Sequence, residues 1–116
     1  MFDFEKLDVY QKLFAVNVQV LKWMAANKNL DPYFMDQWRK ATLGASSNLV
    51  EGVGRFSKPD KKRYYTMSRS AVFECVAIMQ IIHKLGVLDK ENYNDFYNQY
   101  TTISKMLLAM FRTKRD

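Results

Sequence analysis

Four segments of the chain carry apolar residues at the spacing of amphipathic α-helices, and residues that favour turns separate them. The predicted helices cover about residues 7–26, 32–54, 57–86 and 90–112. Short connections between helices of similar length favour an antiparallel arrangement in which each helix packs on the next. The pattern therefore predicts an all-α protein, an antiparallel up-and-down four-helix bundle that forms a single domain over residues 1–116.

The ends of these helices carry recognisable capping residues. Asp31 can cap the second helix, and Asp89 can cap the fourth, because a short acidic side chain accepts a bond from a free backbone N–H group. Ser57 or Asp60 can begin the third helix, and Gly86 can end it. These local signals fix where each helix starts and stops.

Placing each residue about 100° from the last sorts the apolar side chains onto one face of each helix. The predicted inward positions are Leu7, Tyr10, Phe14, Val18, Leu21 and Ala25 in the first helix; Phe34, Trp38, Ala41, Ala45, Leu49 and Gly52 in the second; Tyr64, Ser68, Ala71, Cys75, Ile78, Ile82 and Leu85 in the third; and Tyr93, Phe96, Tyr100, Ile103, Leu107 and Met110 in the fourth. Small residues on the second and third helices should let those two backbones approach closely.

The first and third helices carry more apolar side chains than one inward face needs. Val9, Val16 and Trp23 repeat every seven residues on the side roughly opposite Phe14. On the third helix, Phe73 points away from the inward face. Because a large exposed apolar patch normally marks a contact site, these residues predict self-association into a homo-oligomer. The alternative is that they are scattered surface hydrophobic residues, which are common in monomers.

The formal net charge of +6 is concentrated in residues 55–69, which we call the basic tract. Its only acidic residue is Asp60. Its basic residues are Arg55, Lys58, Lys61, Lys62, Arg63 and Arg69. Such a tract suits phosphate groups and predicts salt-sensitive binding of nucleic acid that does not depend on base sequence. The alternative is a solvated helix start with no ligand.

The segment NLVEGVGRF at residues 48–56 combines two glycines with an acid and a base, but it fits no phosphate-binding loop. A helix precedes its two glycines, whereas a strand precedes those of a dinucleotide fingerprint, and the chain has no Gly-Lys-Ser or Gly-Lys-Thr for a Walker loop. Helical spacing instead places Asn48, Glu51 and Arg55 along one edge of the second helix, and Glu74 in the same relation to the third. We expect these four residues to form a structural polar cluster.

Other chemistry has little support in the sequence. The only histidine, His83, has no acid three residues before it, as a di-iron bundle would need, and the only cysteine, Cys75, fits a core position. We expect no catalytic residue, no metal ion and no cofactor, and therefore no enzyme. The amino terminus is acidic, and no segment has about twenty apolar residues in a row. A soluble cytoplasmic protein with no membrane partner is expected.

The signature Asn-x-x-Glu-Gly-x-Gly-Arg at residues 48–55, with a later RSAVFECVAIM segment, resembles the bacterial four-helix bundle proteins called 23S rRNA-intervening-sequence proteins. The resemblance covers about residues 7–110. Members often have Arg-Gly-Ser before Val-Phe-Glu-Cys, where this chain has Arg69, Ser70 and Ala71. The resemblance implies a ring-shaped homo-oligomer, commonly a pentamer, in a bacterial cytoplasm. It implies little about activity, although similar accessory proteins of diversity-generating retroelements are thought to engage a reverse transcriptase and nucleic acid.

Together these features predict a non-enzymatic homo-oligomer that binds RNA or another nucleic acid through the basic tract. A ring would repeat the tract and strengthen weak single contacts through avidity. The alternative is a protein-interaction adaptor that uses its apolar faces and has no nucleic-acid role.

Overall fold

The computed structural model describes residues 1–113, which form four α-helices and no strand. The helices are α1 (Asp8–Ala26), α2 (Pro32–Gly54), α3 (Lys58–Lys84) and α4 (Lys90–Arg112), and a short 3-10 helix (Asp3–Lys6) precedes them. Helix α2 packs against α3, α3 packs against α4, and α1 packs against both α2 and α4. The predicted all-α bundle is confirmed, with helix limits within a few residues of the expected ones.

The predicted capping residues occupy the helix starts. Asp31 Oδ1 accepts a hydrogen bond from the backbone N–H of Tyr33 at 2.8 Å. Asp89 Oδ2 accepts a hydrogen bond from the backbone N–H of Asn92 at 3.1 Å. Of the two candidates for α3, Ser57 is the cap. Helix α3 ends two residues before Gly86, whose φ of +83° lies in the left-handed region that glycine adopts without strain.

One continuous core runs through the bundle, and Trp38 of α2 lies within it. The Trp38 ring centroid is 5.8 Å from that of Trp23 on α1 and 6.2 Å from that of Phe96 on α4. The indole N–H of Trp38 donates to the hydroxyl oxygen of Tyr100, 3.3 Å away on α4. These contacts join three helices around one buried ring.

The predicted orientation of α1 is wrong. Val9, Val16 and Trp23 are 4%, 0% and 8% exposed and belong to the core, whereas Phe14 is 56% exposed. The helix has two apolar rows, and the row with Val9 faces inward because Trp23 packs on Trp38. The 3-10 helix lies along the other row. Val9, Val16 and Trp23 therefore offer no outer surface for self-association.

Helix α3 is also turned slightly from its predicted orientation. Tyr65 is buried in place of Tyr64, and Leu85 is exposed. Phe73 points outward as predicted and is 51% exposed. The other buried positions of α3 are Ser68, Ala71, Val72, Cys75, Met79 and Ile82.

Helices α2 and α3 approach closely where the sequence places small residues. The Ser68 hydroxyl donates to the backbone carbonyl oxygen of Ala45 at 2.7 Å. A methyl group added at Gly44 would lie 3.9 Å from the Ala71 Cβ, and one added at Gly52 would come within 2.7 Å of the Tyr65 ring. The predicted close approach is confirmed, and it places the start of α3 against the last turns of α2.

Candidate nucleic-acid interface

The basic tract lies in the turn between α2 and α3 and along the first three turns of α3. The Ser57 hydroxyl oxygen accepts a bond from the backbone N–H of Asp60 at 3.2 Å, and Pro59 occupies the first turn, so the helix begins at Lys58. The final turns of α4 lie beside this part of α3. The tract therefore occupies one end of the bundle, where three helix ends meet.

Arg55 and Arg63 both contact the half-buried Tyr64 ring. The Arg55 Nη2 donates to Glu51 Oε2 and to the Tyr64 hydroxyl, both at 2.9 Å. The two guanidinium carbons lie 4.7 and 4.8 Å from the Tyr64 ring centroid, in the range of cation–π contacts. Arg63 also approaches Asp60 at 3.8 Å, but both side chains are about half exposed, so this pair is weak.

Lys61 caps the C-terminal end of α2. Its Nζ donates to the backbone carbonyl oxygen of Val53 at 2.9 Å and to that of Gly52 at 3.4 Å. These carbonyls belong to the last turn of the helix, where the Gly52 oxygen also accepts from the backbone N–H of Arg55 at 3.3 Å, and a cation there favours the helix dipole. Lys61 therefore has a structural role within the tract.

Lys58 and Lys62 face the C-terminal end of α4 across a groove of about 410 Å³. The Lys62 Nζ lies 5.3 Å from the Phe111 ring centroid, which is a cation–π contact. Burial raises the pKa of Tyr65, which forms part of the groove wall. The groove is lined by Lys58, Lys61, Lys62, Tyr65, Ala109, Met110 and Thr113.

Arg69 lies two turns further along α3 and reaches across to α4. Its Nε donates to the backbone carbonyl oxygen of Ser104 at 3.3 Å and to the Ser104 hydroxyl at 3.2 Å. Its guanidinium carbon lies 4.7 Å from the Phe73 ring centroid. Arg69 is thus held by α4 and by an exposed ring, apart from the cluster at the α2–α3 turn.

Few carboxylates neutralise the tract. Within residues 1–113, the ion pairs are Arg39–Asp36, Arg55–Glu51 and Arg63–Asp60. None of them involves Lys58, Lys62 or Arg69. Lys62 and Arg69 instead contact aromatic rings, and Arg69 also contacts Ser104 oxygens, so these neutral partners leave the net charge in place.

The predicted polar cluster forms only in part. Glu51 and Arg55 are paired at 2.9 Å. Asn48 Nδ2 instead donates to the backbone carbonyl oxygen of Gly44, in its own helix, at 2.9 Å. Glu74 is exposed and, with Asn48, lines a separate shallow groove between α2 and α3. The expected four-residue cluster is wrong because Glu74 lies several turns along α3 from the end where Arg55 lies.

The partners on α4 were not found from the sequence. Ser104 and Phe111 contact Arg69 and Lys62, but they are distant from the basic tract in the chain. The available signal was that α3 and α4 are neighbours in a four-helix bundle, so the last turns of α4 must lie beside the first turns of α3. That reasoning would have identified the segment, although not the individual contacts.

Other reactive groups are held in structural contacts. Burial raises the pKa of the Cys75 thiol to about 11, and Thr42 Oγ1 lies 3.9 Å from its sulfur. His83 Nδ1 is hydrogen-bonded to the backbone carbonyl oxygen of Leu88 at 2.7 Å, and its ring stacks on Tyr93. Across residues 1–113, no three His, Cys, Asp or Glu side chains come together as metal ligands. No helix in the described part of the chain is long and apolar enough to cross a bilayer.

The fold and this site define an all-helical bundle protein that concentrates positive charge at one end. The chain belongs to the 23S rRNA-intervening sequence protein family, whose sequence profile matches residues 5–109. The resemblance noted in the sequence is thereby confirmed. Comparison with curated proteins gives no match.

A solved structure from Bacteroides thetaiotaomicron has the same fold. It is described as a protein of unknown function from the S23 ribosomal protein family. The two chains superpose with a TM-score of 0.83 at 17% sequence identity, over 90% of this chain and 99% of the other. At this identity the similarity supports the bundle and carries no information about ligands.

Proposed function

We propose that this protein is a non-enzymatic, cytoplasmic homo-oligomer that binds RNA or another nucleic acid through the basic tract. The observation that carries the proposal is the gathering of Lys58, Lys62, Arg63 and Arg69 on one helix, with a single weak ion pair among them. Phosphate groups neutralise such a surface and release counterions as they bind, which gives affinity without base specificity.

The aromatic contacts help to keep these charges available. Lys62 lies against Phe111, and Arg63 lies against Tyr64. A cation over a ring retains its full charge and its hydrogen-bond donors can still reach a phosphate oxygen. A carboxylate partner in the same place would compete with the phosphate directly.

Two members of the tract contribute less to binding in this proposal. Arg55 is engaged by Glu51 and the Tyr64 hydroxyl, and Lys61 caps α2. Replacing either residue would disturb the α2–α3 turn as well as remove a charge. A test of phosphate binding should therefore leave both in place.

Of the four residues expected at the oligomer interface, Phe73 alone is exposed, so most of the contact between subunits must use other surfaces. The buried residues Val9, Val16 and Trp23 cannot contribute, whereas Phe14 on α1 is 56% exposed. A homo-oligomer, a pentamer if it follows the resemblance described above, would repeat the tract and add its contacts through avidity. Light-scattering mass of the purified protein tests this part, and a monomer at micromolar concentration would contradict it.

The direct test measures the affinity of the protein for a labelled single-stranded RNA by fluorescence anisotropy. The variant Lys58→Ala/Lys62→Ala/Arg63→Ala should bind at least about tenfold more weakly, since three phosphate contacts are lost. A control variant carries the same change in net charge on exposed lysines outside the tract: Lys12→Ala/Lys22→Ala/Lys40→Ala. Equal affinity of the two variants would contradict a role for the tract.

A protein-interaction adaptor remains the second candidate, because several large apolar side chains are exposed. Phe56 is fully exposed at the α2–α3 turn, and Leu43 and Ile81 are about half exposed. Recovery of partners from lysate with and without nuclease separates the two functions. A partner protein retained after nuclease favours the adaptor, and loss of all bound material favours nucleic-acid binding.

A further inference from the structure

A second groove lies between α3 and α4, next to the basic tract, and it differs from the first in its exposed aromatic rings. It encloses about 410 Å³. Phe73 and Tyr97 on its walls are 51% and 42% exposed. Both of its charged lining residues, Arg69 and Lys105, are basic. The groove therefore combines positive charge with open ring faces and has no carboxylate in its lining.

Arg69 lies in this groove and keeps some of its N–H donors unused. Both of its hydrogen bonds to Ser104 use Nε. Its Nη1 and Nη2 atoms make no hydrogen bond within residues 1–113, and its guanidinium lies over Phe73 at 4.7 Å. Since Phe73 is half exposed, the guanidinium covers only part of the ring surface. The pair thus offers phosphate donors and a stacking surface side by side.

The same pairing of cation and ring occurs seven residues earlier on α3, or about 10 Å along the helix axis. There Lys62 lies 5.3 Å from the Phe111 ring, which is 38% exposed. Towards the start of α4, the ring centroids of Tyr97 and Tyr93 are 5.9 Å apart. Two cation–ring pairs and then two tyrosine rings therefore follow one another along the α3–α4 face, starting from the basic tract.

We infer that this second groove binds the unpaired bases of a single-stranded nucleic acid. Bases would stack on Phe73 and Tyr97, and phosphates would contact Arg69 and Lys105. The inference rests on the proposed function and names its ligand class. Bases in a duplex are already stacked and paired, so their faces are not available to side chains, whereas a single strand can place bases on aromatic rings. A simple polyanion would need the charges and not the rings.

The test compares three ligands of equal length: a single-stranded oligonucleotide, its duplex, and an abasic strand with the same phosphates. The variant Phe73→Leu/Tyr97→Leu removes both ring faces and keeps the charge. It should lose about fivefold or more in affinity for the single strand, in line with the contribution of one stacked base, and nothing for the abasic strand. Phe73→Tyr/Tyr97→Phe should keep the native affinity because both rings remain.

A matched control is Tyr33→Leu, which removes an exposed tyrosine elsewhere, on α2. It should leave all three affinities unchanged, and circular dichroism should show native helix content in every variant. Equal loss of affinity for the base-bearing and abasic strands, or no loss for either, would overturn the inference while leaving phosphate binding by the tract intact. Failure of the native protein to bind any of the three ligands at low salt would overturn the proposed function as well.

Discussion

Gly52 is required, on this structure, by the close packing of α2 on α3, and replacing it by alanine tests that packing. The added methyl group would lie 2.7 Å from Tyr65 Cε1, 2.8 Å from Tyr65 Cδ1 and 3.1 Å from the Cβ of Tyr64. Carbon atoms in good contact are about 3.5–4.0 Å apart, so the ring or the backbone must move by about 1 Å. The Tyr65 ring is buried, which leaves it little room to do so.

The expected change in the free energy of unfolding is the sum of two opposing contributions. Overpacking of this kind costs about 1–3 kcal/mol, whereas alanine is favoured over glycine by up to about 1 kcal/mol within a helix. Gly54→Ala is the matched control, because a methyl group there meets no atom within 4 Å. The free energy of unfolding of Gly52→Ala should therefore be lower than that of Gly54→Ala by about 1–3 kcal/mol.

Thermal and urea unfolding followed by circular dichroism measure this difference. For a chain of 116 residues, about 1 kcal/mol shifts the Tm by about 4 °C. A double-mutant cycle with Tyr65→Ala should show that most of the cost disappears once the ring is gone. Equal Tm values for Gly52→Ala and Gly54→Ala would refute the reasoning, since the ring would then move aside without cost.

Three further outcomes follow from the described contacts. Leu13→Ala should lower the free energy of unfolding by about 2–5 kcal/mol and Phe14→Ala by about 0.5 kcal/mol, because Leu13 is fully buried and Phe14 is exposed. Urea unfolding measures both values, and a larger loss for Phe14→Ala would show that α1 is turned the other way. Asp31→Ala should cost about 0.5–2 kcal/mol through loss of the α2 cap, whereas Asp36→Ala, which breaks a surface ion pair, should be nearly neutral in the same assay. Burial raises the pKa of Cys75 from 9.0 to about 11, so its contribution to stability is present below pH 9 and is lost as the pH rises towards 11. Native protein should therefore resist thiol labelling at pH 8, and stability above pH 9 should fall more steeply than in Cys75→Ala; rapid labelling of the native protein would contradict the buried position.

The helix limits could be predicted because their signals are local. Asp31, Ser57 and Asp89 each accept a bond from a backbone N–H two or three residues later, and that geometry needs no tertiary contact. The Glu51–Arg55 pair follows from the same short-range spacing of one helical turn. Features of this kind are encoded in a few neighbouring residues.

The orientation of α1 could not be obtained in the same way. Its two apolar rows have similar spacing, and the choice between them depends on Trp38 of α2, which packs on Trp23, and on Phe4, whose ring lies 5.0 Å from that of Tyr10. Trp38 and Phe4 both lie outside α1, so a helical projection of α1 alone cannot show these contacts. The misplacement of Glu74 has a similar cause, because its distance from Arg55 depends on how α2 and α3 align along their length.

The contacts of the basic tract on α4 also depend on long-range packing. Ser104 follows Arg69 by thirty-five residues in the chain. The sequence located the positive charge, and the structure adds the neighbours that divide the tract into capping residues and available cations. Lys61 belongs to the first group, and Lys58 and Lys62 belong to the second.

The most direct test of phosphate binding by the tract is the salt dependence of affinity for a single-stranded RNA. The logarithm of the association constant should fall linearly with the logarithm of salt concentration, with about 0.7 units of slope for each phosphate neutralised. The Lys58→Ala/Lys62→Ala/Arg63→Ala variant should therefore show a slope shallower by up to about 2. Identical slopes for this variant and the native protein would contradict the account, because the tract would then contribute no phosphate contact.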